Sequence, residues 1–344
     1  MDRDEAAQPR RRFRLPLVIG LGSAIAIAGW SVVWATARGH ILTEIDAHLG
    51  RLAADGVVVA CPDRTIGGYP FRMELSCRSP EVEVRDRGVS IATAGLRVVA
   101  QVWDPRLVLL EVDGPAAISD TNGGATVVWR DLRASLRWGA SGIGRVSIAA
   151  EGLDATLRPT DRPAVRVVAA RAEGHGRPSG AGERDLDVAA SFVAATSTIA
   201  DKRLGPTNAD LSLSATLVDF LPGGPGPALP AFAARGGRIA PAKLSLAAGG
   251  VVVDGEGALV LDGSGVLDGT ITLVARGLES LAKGGAKELG PELTTVLTGF
   301  VLLGKAPKDP AKPGRRLEMI VDHGSVRIGR VTLGRLAPLF APGG

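Results

Sequence analysis

Residues 125–140 read ATVVWRDLRASLRWGA. From Leu132 onward, Leu132, Ala134, Leu136 and Trp138 fall on one side of an extended chain, with Arg133, Ser135 and Arg137 on the other. Successive side chains of a strand point to opposite faces, so this alternation describes a strand with one packed and one wet face. The pattern extends in both directions. Upstream, MELSC, VEVRD, VSIATAGLRVVAQVW and RLVLLEVDG are β-branched or aliphatic segments broken by Asp, Arg and Gly. Downstream, DLDVAASFVAATS sets Leu186, Val188, Ala190, Phe192 and Ala194 on one face. Alternation repeated between turn residues points to antiparallel hairpins rather than strand–helix–strand crossovers. The predicted class is mainly β: an N-terminal transmembrane helix, then an extended, curved antiparallel sheet with a few packing helices. Aromatic residues are 4% of the chain, so its core is built of Val, Leu, Ile and Ala. Such a sheet leaves a long aliphatic surface partly unfilled.

The N-terminus bears on location. Arg10, Arg11, Arg12 and Arg14 precede an uncharged run of 23 residues, Leu15 to Ala37. That run is long enough for a helix across a hydrocarbon core of about 30 Å. The basic flank sets residues 1–14 in the cytoplasm, with Trp30 and Trp34 near the far interface. The expectation is a single-pass inner-membrane protein with its body in the periplasm. The competing readings are a cleaved signal ending at Ala35-Thr36-Ala37 and a buried cytoplasmic helix.

Beyond the anchor, Ile41, Ile45, Leu49 and Leu52 form one helical stripe that stops at Asp55-Gly56. A first β-rich region over 38–220 includes that helix. A Pro/Gly linker, LPGGPGPALP at 221–230, separates two modules or joins two sheet segments. A second β-rich region over 231–344 carries a helical insertion at 276–302. There Asp-Gly at 254–255, 262–263 and 268–269 reads as tight turns joining short strands.

The two cysteines stand in CPDRTIGGYPFRMELSC, residues 61–77. In an oxidising compartment Cys61 and Cys77 are expected to form a disulfide. Fifteen intervening residues exclude the two-residue spacing of a thioredoxin-type pair. Gly67-Gly68 permits a turn, and Tyr69-Pro70-Phe71 starts a strand with Phe71, Met73 and Leu75 on one face. Tyr69, Pro70, Phe71 and Met73 form either a structural hairpin or a cap on a hydrophobic groove.

Little else suggests chemistry. His40, His48, His175 and His323 are scattered, and no His/Cys/Asp set has ligand spacing, so no metal or cofactor is expected. There is no G-x-S-x-G elbow and no P-loop ending. No catalytic residue is nominated, and the chain reads as a non-enzyme. Net charge is +4, much of it from the arginines before the anchor, which argues against nucleic acid.

The same stretch carries a resemblance. Gly68-Tyr69-Pro70-Phe71-Arg72, the later VVAQVWDPRLVLLEVDGP ending at Asp113-Gly114-Pro115, and GVVVDGEGALVLDGSGVLDGTITLVARGLESL resemble the domain of unknown function 2125 family of alphaproteobacterial envelope proteins. That resemblance implies an envelope location and no particular activity. More distantly, the anchor and repetitive β body resemble AsmA-like envelope proteins, which are linked to phospholipid traffic along a hydrophobic trough. The leading functional expectation is therefore a protein that binds or guides lipid or another amphiphile along a β-sheet groove. Alternatives are a scaffold with envelope protein partners and, third, a hydrolase of envelope glycans or lipids.

Overall fold

The computed structural model describes residues 14–139, 142–180, 182, 184–221, 228–281, 289, 291–306, 314–329 and 331–340. The basic tail before residue 14, the middle of the Pro/Gly stretch and the Gly284-Gly285 break lie outside the described residues. Helix α1 spans Arg14–Ala54 without interruption, 41 residues or about 62 Å at 1.5 Å per residue. It is long and apolar enough to cross a membrane. Its outer part carries a half-buried stripe of Ile41, Ile45, Leu49 and Leu52, as the spacing predicts. An Arg64–Asp46 ion pair of 2.6 Å ties that part to the first strands.

The structure as a whole is 61% strand, and its body is one large antiparallel sheet. At one edge, β1 (Val57–Ala60) pairs with β4 (Glu81–Val84), and β2 (Thr65–Gly67) with β3 (Arg72–Arg78). Both pairs meet β5 (Val89–Gln101), β4 along its first half and β3 along its second. Next comes β6 (Asp104–Asp120). Against it β7 (Gly123–Val128) and β8 (Asp131–Gly139) lie end to end, and β9 (Gly142–Pro159) spans both. From there each strand pairs with the one before it: β10 (Val165–Pro178), β11 (Leu186–Ile199), β12 (Lys202–Val218) and β13 (Gly237–Ala248). Then follow β14 (Val251–Leu261), β15 (Leu267–Arg276), β16 (Arg315–Asp322), β17 (Ser325–Ile328) and β18 (Val331–Arg335). Strands β12 and β13 pair directly across the Pro/Gly stretch, so the sheet runs through it unbroken.

Two helices pack on the second half of the sheet. Helix α2 (Ala228–Ala234) sets Phe232 against Leu217, Ile239 and Leu261. Helix α3 (Pro291–Leu303) sets Leu297 and Phe300 over Val253, Ile271, Leu273 and Leu317. These are the largest fully buried side chains, together with Leu261 and Leu289.

Two readings of the sequence need correction. The strands are long, up to 18 residues in β9. Of the three Asp-Gly pairs, Asp262-Gly263 alone is a turn, while Asp254-Gly255 and Asp268-Gly269 lie inside β14 and β15. The glycines there serve close packing. A Cβ on Gly255 would stand 2.8 Å from Leu244 and Leu273, and one on Gly257 would stand 2.1 Å from the Thr270 carbonyl oxygen. Glycine within a strand marks such an approach as readily as a turn.

Candidate functional site

Register turns the alternation into two continuous surfaces. On one face the pairing aligns Leu75 (β3), Val98 (β5), Leu110 (β6), Ala134 (β8) and Ile148 (β9) in a row. The row continues through Gly174, Ala190, Leu213, Leu244, Gly255, Leu273 and Leu317. It crosses twelve strands without a polar side chain, about 50 Å at 4.8 Å per strand. A parallel row holds Met73, Ala100, Val108, Leu136, Val146, Gly176, Val188 and Ala215.

Cover over this face is uneven. Under α3, Ile271 and Leu273 are each 6% exposed. Among the described residues no helix lies over β8–β11, and there Val146 is 40% and Ile148 44% exposed. Where α2 and α3 leave off, a cavity of about 360 Å³ opens, lined by Val188, Ala190, Leu213, Ala242 and Leu244. Its walls are aliphatic side chains and strand backbone.

The opposite face is charged and internally paired. Arg97 bridges Glu74 at 3.3 Å and Glu111 at 3.4 Å, and Arg171 bridges Glu151 at 3.4 Å and Glu173 at 2.5 Å. A cleft of about 970 Å³ lies on this face. Its charged lining is engaged: Lys243 pairs with Glu256 at 3.6 Å, and Arg276 pairs with Asp254. His175 Nδ1 and Ser147 Oγ share a hydrogen bond of 3.0 Å across β9 and β10. Both strands are interior, so their amides are committed to the ladders and leave no donor pair to hold an oxyanion. The pair is cross-strand polar contact on an exposed surface.

The apolar face begins at a tip that meets α1. Tyr69, Pro70 and Phe71 are a turn, and the strand starts at Arg72 rather than at Tyr69. Trp30 Nε1 donates to the Pro70 carbonyl at 2.9 Å, and Trp34 Nε1 to the Arg72 carbonyl at 3.4 Å. Ser31 Oγ and the Tyr69 hydroxyl lie 2.9 Å apart, and the Tyr69 ring stands edge-on to Trp34 at 5.6 Å. Phe71 adjoins Trp103 of the β5–β6 turn, ring centroids 6.2 Å apart. Between helix and tip lies an apolar cavity of about 450 Å³, lined by Ala26, Ile27, Trp30, Tyr69, Phe71 and Trp103. Met73 lies one residue inside the strand and begins the parallel apolar row. The sequence reading located Tyr69, Pro70, Phe71 and Met73 but missed Trp103. Its signal was available: a Trp set in a Val-Trp-Asp-Pro turn, with no hydrophobic neighbour in sequence beyond Val102.

Cys61 and Cys77 are bonded, Cα atoms 5.5 Å apart, and join the end of β1 to the end of β3. Of the histidines, His323 lies within reach of Asp268 and Asp322. Its backbone N–H donates to Asp268 at 2.6 Å, and Asp322 is held by Arg327 at 2.6 Å, so this cluster closes a turn. The hydrogen bond to Asp322, reinforced by the charge of Asp268, raises the His323 pKa above its ordinary value.

The profile of a bacterial family described as "uncharacterized protein conserved in bacteria (DUF2125)" matches residues 34–337, and the chain belongs to that family. No curated protein and no solved structure matches the chain, so the AsmA-like resemblance gains no support.

Proposed function

We propose that this DUF2125 protein is a single-pass envelope protein that holds the acyl chain of a lipid on its aliphatic sheet face. Residues 1–14 lie in the cytoplasm and the sheet in the periplasm. The arginines before α1 support that orientation, and the Cys61–Cys77 bond supports an oxidising compartment for the body. One observation carries the reading. An apolar row crosses twelve strands in register, starts beside the membrane helix, and is left without a covering helix over β8–β11 among the described residues. An exposed aliphatic surface of that extent marks an interaction site more often than an idle one. An acyl chain matches it because a chain of methylenes asks only for apolar contact, each buried CH₂ contributing about 0.8 kcal/mol. No hydrogen-bonding group is needed along the row, and none is present in it.

The test is photocrosslinking in intact cells from a benzophenone amino acid at position 148 on the apolar face and at position 149 on the polar face. Lipid adducts at 148 and not at 149 are the expected result. Protein adducts at 148 with no lipid would favour the scaffold instead. Equal lipid labelling at both positions would remove the groove reading.

A further inference from the structure

We propose that three hairpin ends, β2–β3, β5–β6 and β8–β9, form a second membrane attachment that enters the headgroup layer of an anionic phospholipid bilayer beside the anchor. The proposal rests on α1 spanning that bilayer. It does not require the sheet to carry lipid.

The three ends lie at the same end of the sheet, as the pairings of Arg72 with Gln101, Gln101 with Asp104, Leu107 with Arg137 and Trp138 with Ile143 require. Each presents large apolar side chains to the outside. Phe71 is 60% exposed, Trp103 68% and Ile143 51%, with Tyr69 and Trp138 close behind. Turns at the opposite end of the sheet differ. There Arg85–Gly88, Asp120–Gly123 and Ala200-Asp201 are polar or small. The indole of Trp129, midway along the sheet between β7 and β8, is tucked in, donating to the Val112 carbonyl at 2.8 Å. Among the described residues of the sheet, the exposed aromatic side chains Tyr69, Phe71, Trp103 and Trp138 therefore lie at one end.

The same three ends carry basic side chains. Arg72, Arg106, Arg137 and Arg145 stand within a few residues of these three ends, against two acids, Glu74 and Asp104, which pair with Arg72 at 3.0 Å and with Arg137 at 3.1 Å. Arg106 and Arg145 have no ion pair or side-chain hydrogen bond among the described residues. Indole and phenol rings flanked by arginines are the combination that settles at a bilayer surface, rings at the glycerol level and guanidinium groups on phosphates.

Depth comes from the helix. The tip is hydrogen-bonded to Trp30 and Ser31, six to seven residues before the apolar run ends at Ala37. At 1.5 Å per residue the contact lies about 10 Å inside the end of that run. With α1 across the membrane, Tyr69 and Phe71 lie below the phosphates, and Arg106 and Arg145, a few residues up the strands, lie near them.

The full chain in nanodiscs tests this by hydrogen exchange. In discs containing an anionic glycerophospholipid, amides at 69, 71, 102–103 and 142–144 should exchange at least about tenfold more slowly than in discs of zwitterionic lipid alone. The double variant Arg106→Glu/Arg145→Glu should lose that difference, since each basic group near a charged surface is worth roughly fivefold. Unchanged thermal unfolding of the variant shows that its fold is intact. Exchange at the three ends that is insensitive to lipid charge, or unaltered in the folded variant, would overturn the proposal. Lipid labelling at position 148 is read separately, so failure of lipid carriage and failure of docking leave different records.

Discussion

Replacing Ile148 with Asp separates a lipid-covered face from an empty one. Ile148 is 44% exposed, and its row and flanking neighbours Leu213 and Val146 are 42% and 40% exposed. Complete burial of such a side chain is worth about 1.5–3 kcal/mol, so covering the remaining two-fifths contributes about 1 kcal/mol each. The three together give about 3 kcal/mol, a little over two powers of ten in affinity. Aspartate at 148 removes one share and places a carboxylate beneath the acyl chain. Leaving such a polar group without a partner costs about 2 kcal/mol more. Lipid affinity should therefore fall about 100-fold. The folded protein itself should lose only about 1 kcal/mol, because the carboxylate stays in water when no lipid is present. The control is Ala149→Asp, one residue along on the charged face opposite Arg133 and Glu173. The assay is phospholipid counted by native mass spectrometry per folded protein after gentle extraction. Retention of the parental lipid complement by folded Ile148→Asp would refute the reasoning, as would equal loss in both variants.

Other outcomes follow from single contacts. Cys61→Ser opens a 17-residue loop and should cost about 3 kcal/mol, read as a lower denaturation midpoint that reductant no longer shifts; an unaltered midpoint would show that the bond holds nothing. Gly257→Val drives a Cβ to 2.1 Å from the Thr270 carbonyl, so β14 and β15 must part, and a loss of about 3 kcal/mol or more is expected in chemical denaturation; parental stability would mean that the strands approach less closely. The raised pKa of His323 sets a sign for pH dependence. Its stabilising contribution is complete below the unfolded value of about 6.5 and is lost as pH rises through the higher folded value. Asp322→Asn should bring the NMR titration of His323 back toward the ordinary range, and superimposable curves for the two proteins would contradict the assignment.

Period-two patterning was enough to read the sheet, because each strand's face is written in its own residues: Leu132 to Trp138 needs no partner to show which side is packed. Strand length was harder. Gly255, Gly257 and Gly269 carry the composition of turns, yet their role depends on Leu244, Leu273 and Thr270, which belong to neighbouring strands. The candidate site was half legible. Tyr69-Pro70-Phe71 stood out as rare aromatics, but their contact with Trp30 and Ser31 joins residues about forty positions apart, and no local pattern encodes it. The uneven cover of the aliphatic face was equally hidden, since every one-sided strand has the same alternation whether or not a helix later lies on it.

Pairing of each strand with its predecessor has a consequence for biogenesis. A chain that emerges from a translocation channel in order, N-terminus first, presents each new strand from β10 onward with a completed edge already waiting. Only the first few strands need wait for a later arrival, as β1 does for β4 and β3 for β5, and that is the stretch closed by the Cys61–Cys77 bond. Growth is additive thereafter. A chain with one more hairpin would lengthen the aliphatic row by about 10 Å, two strand spacings, without disturbing any pairing already made.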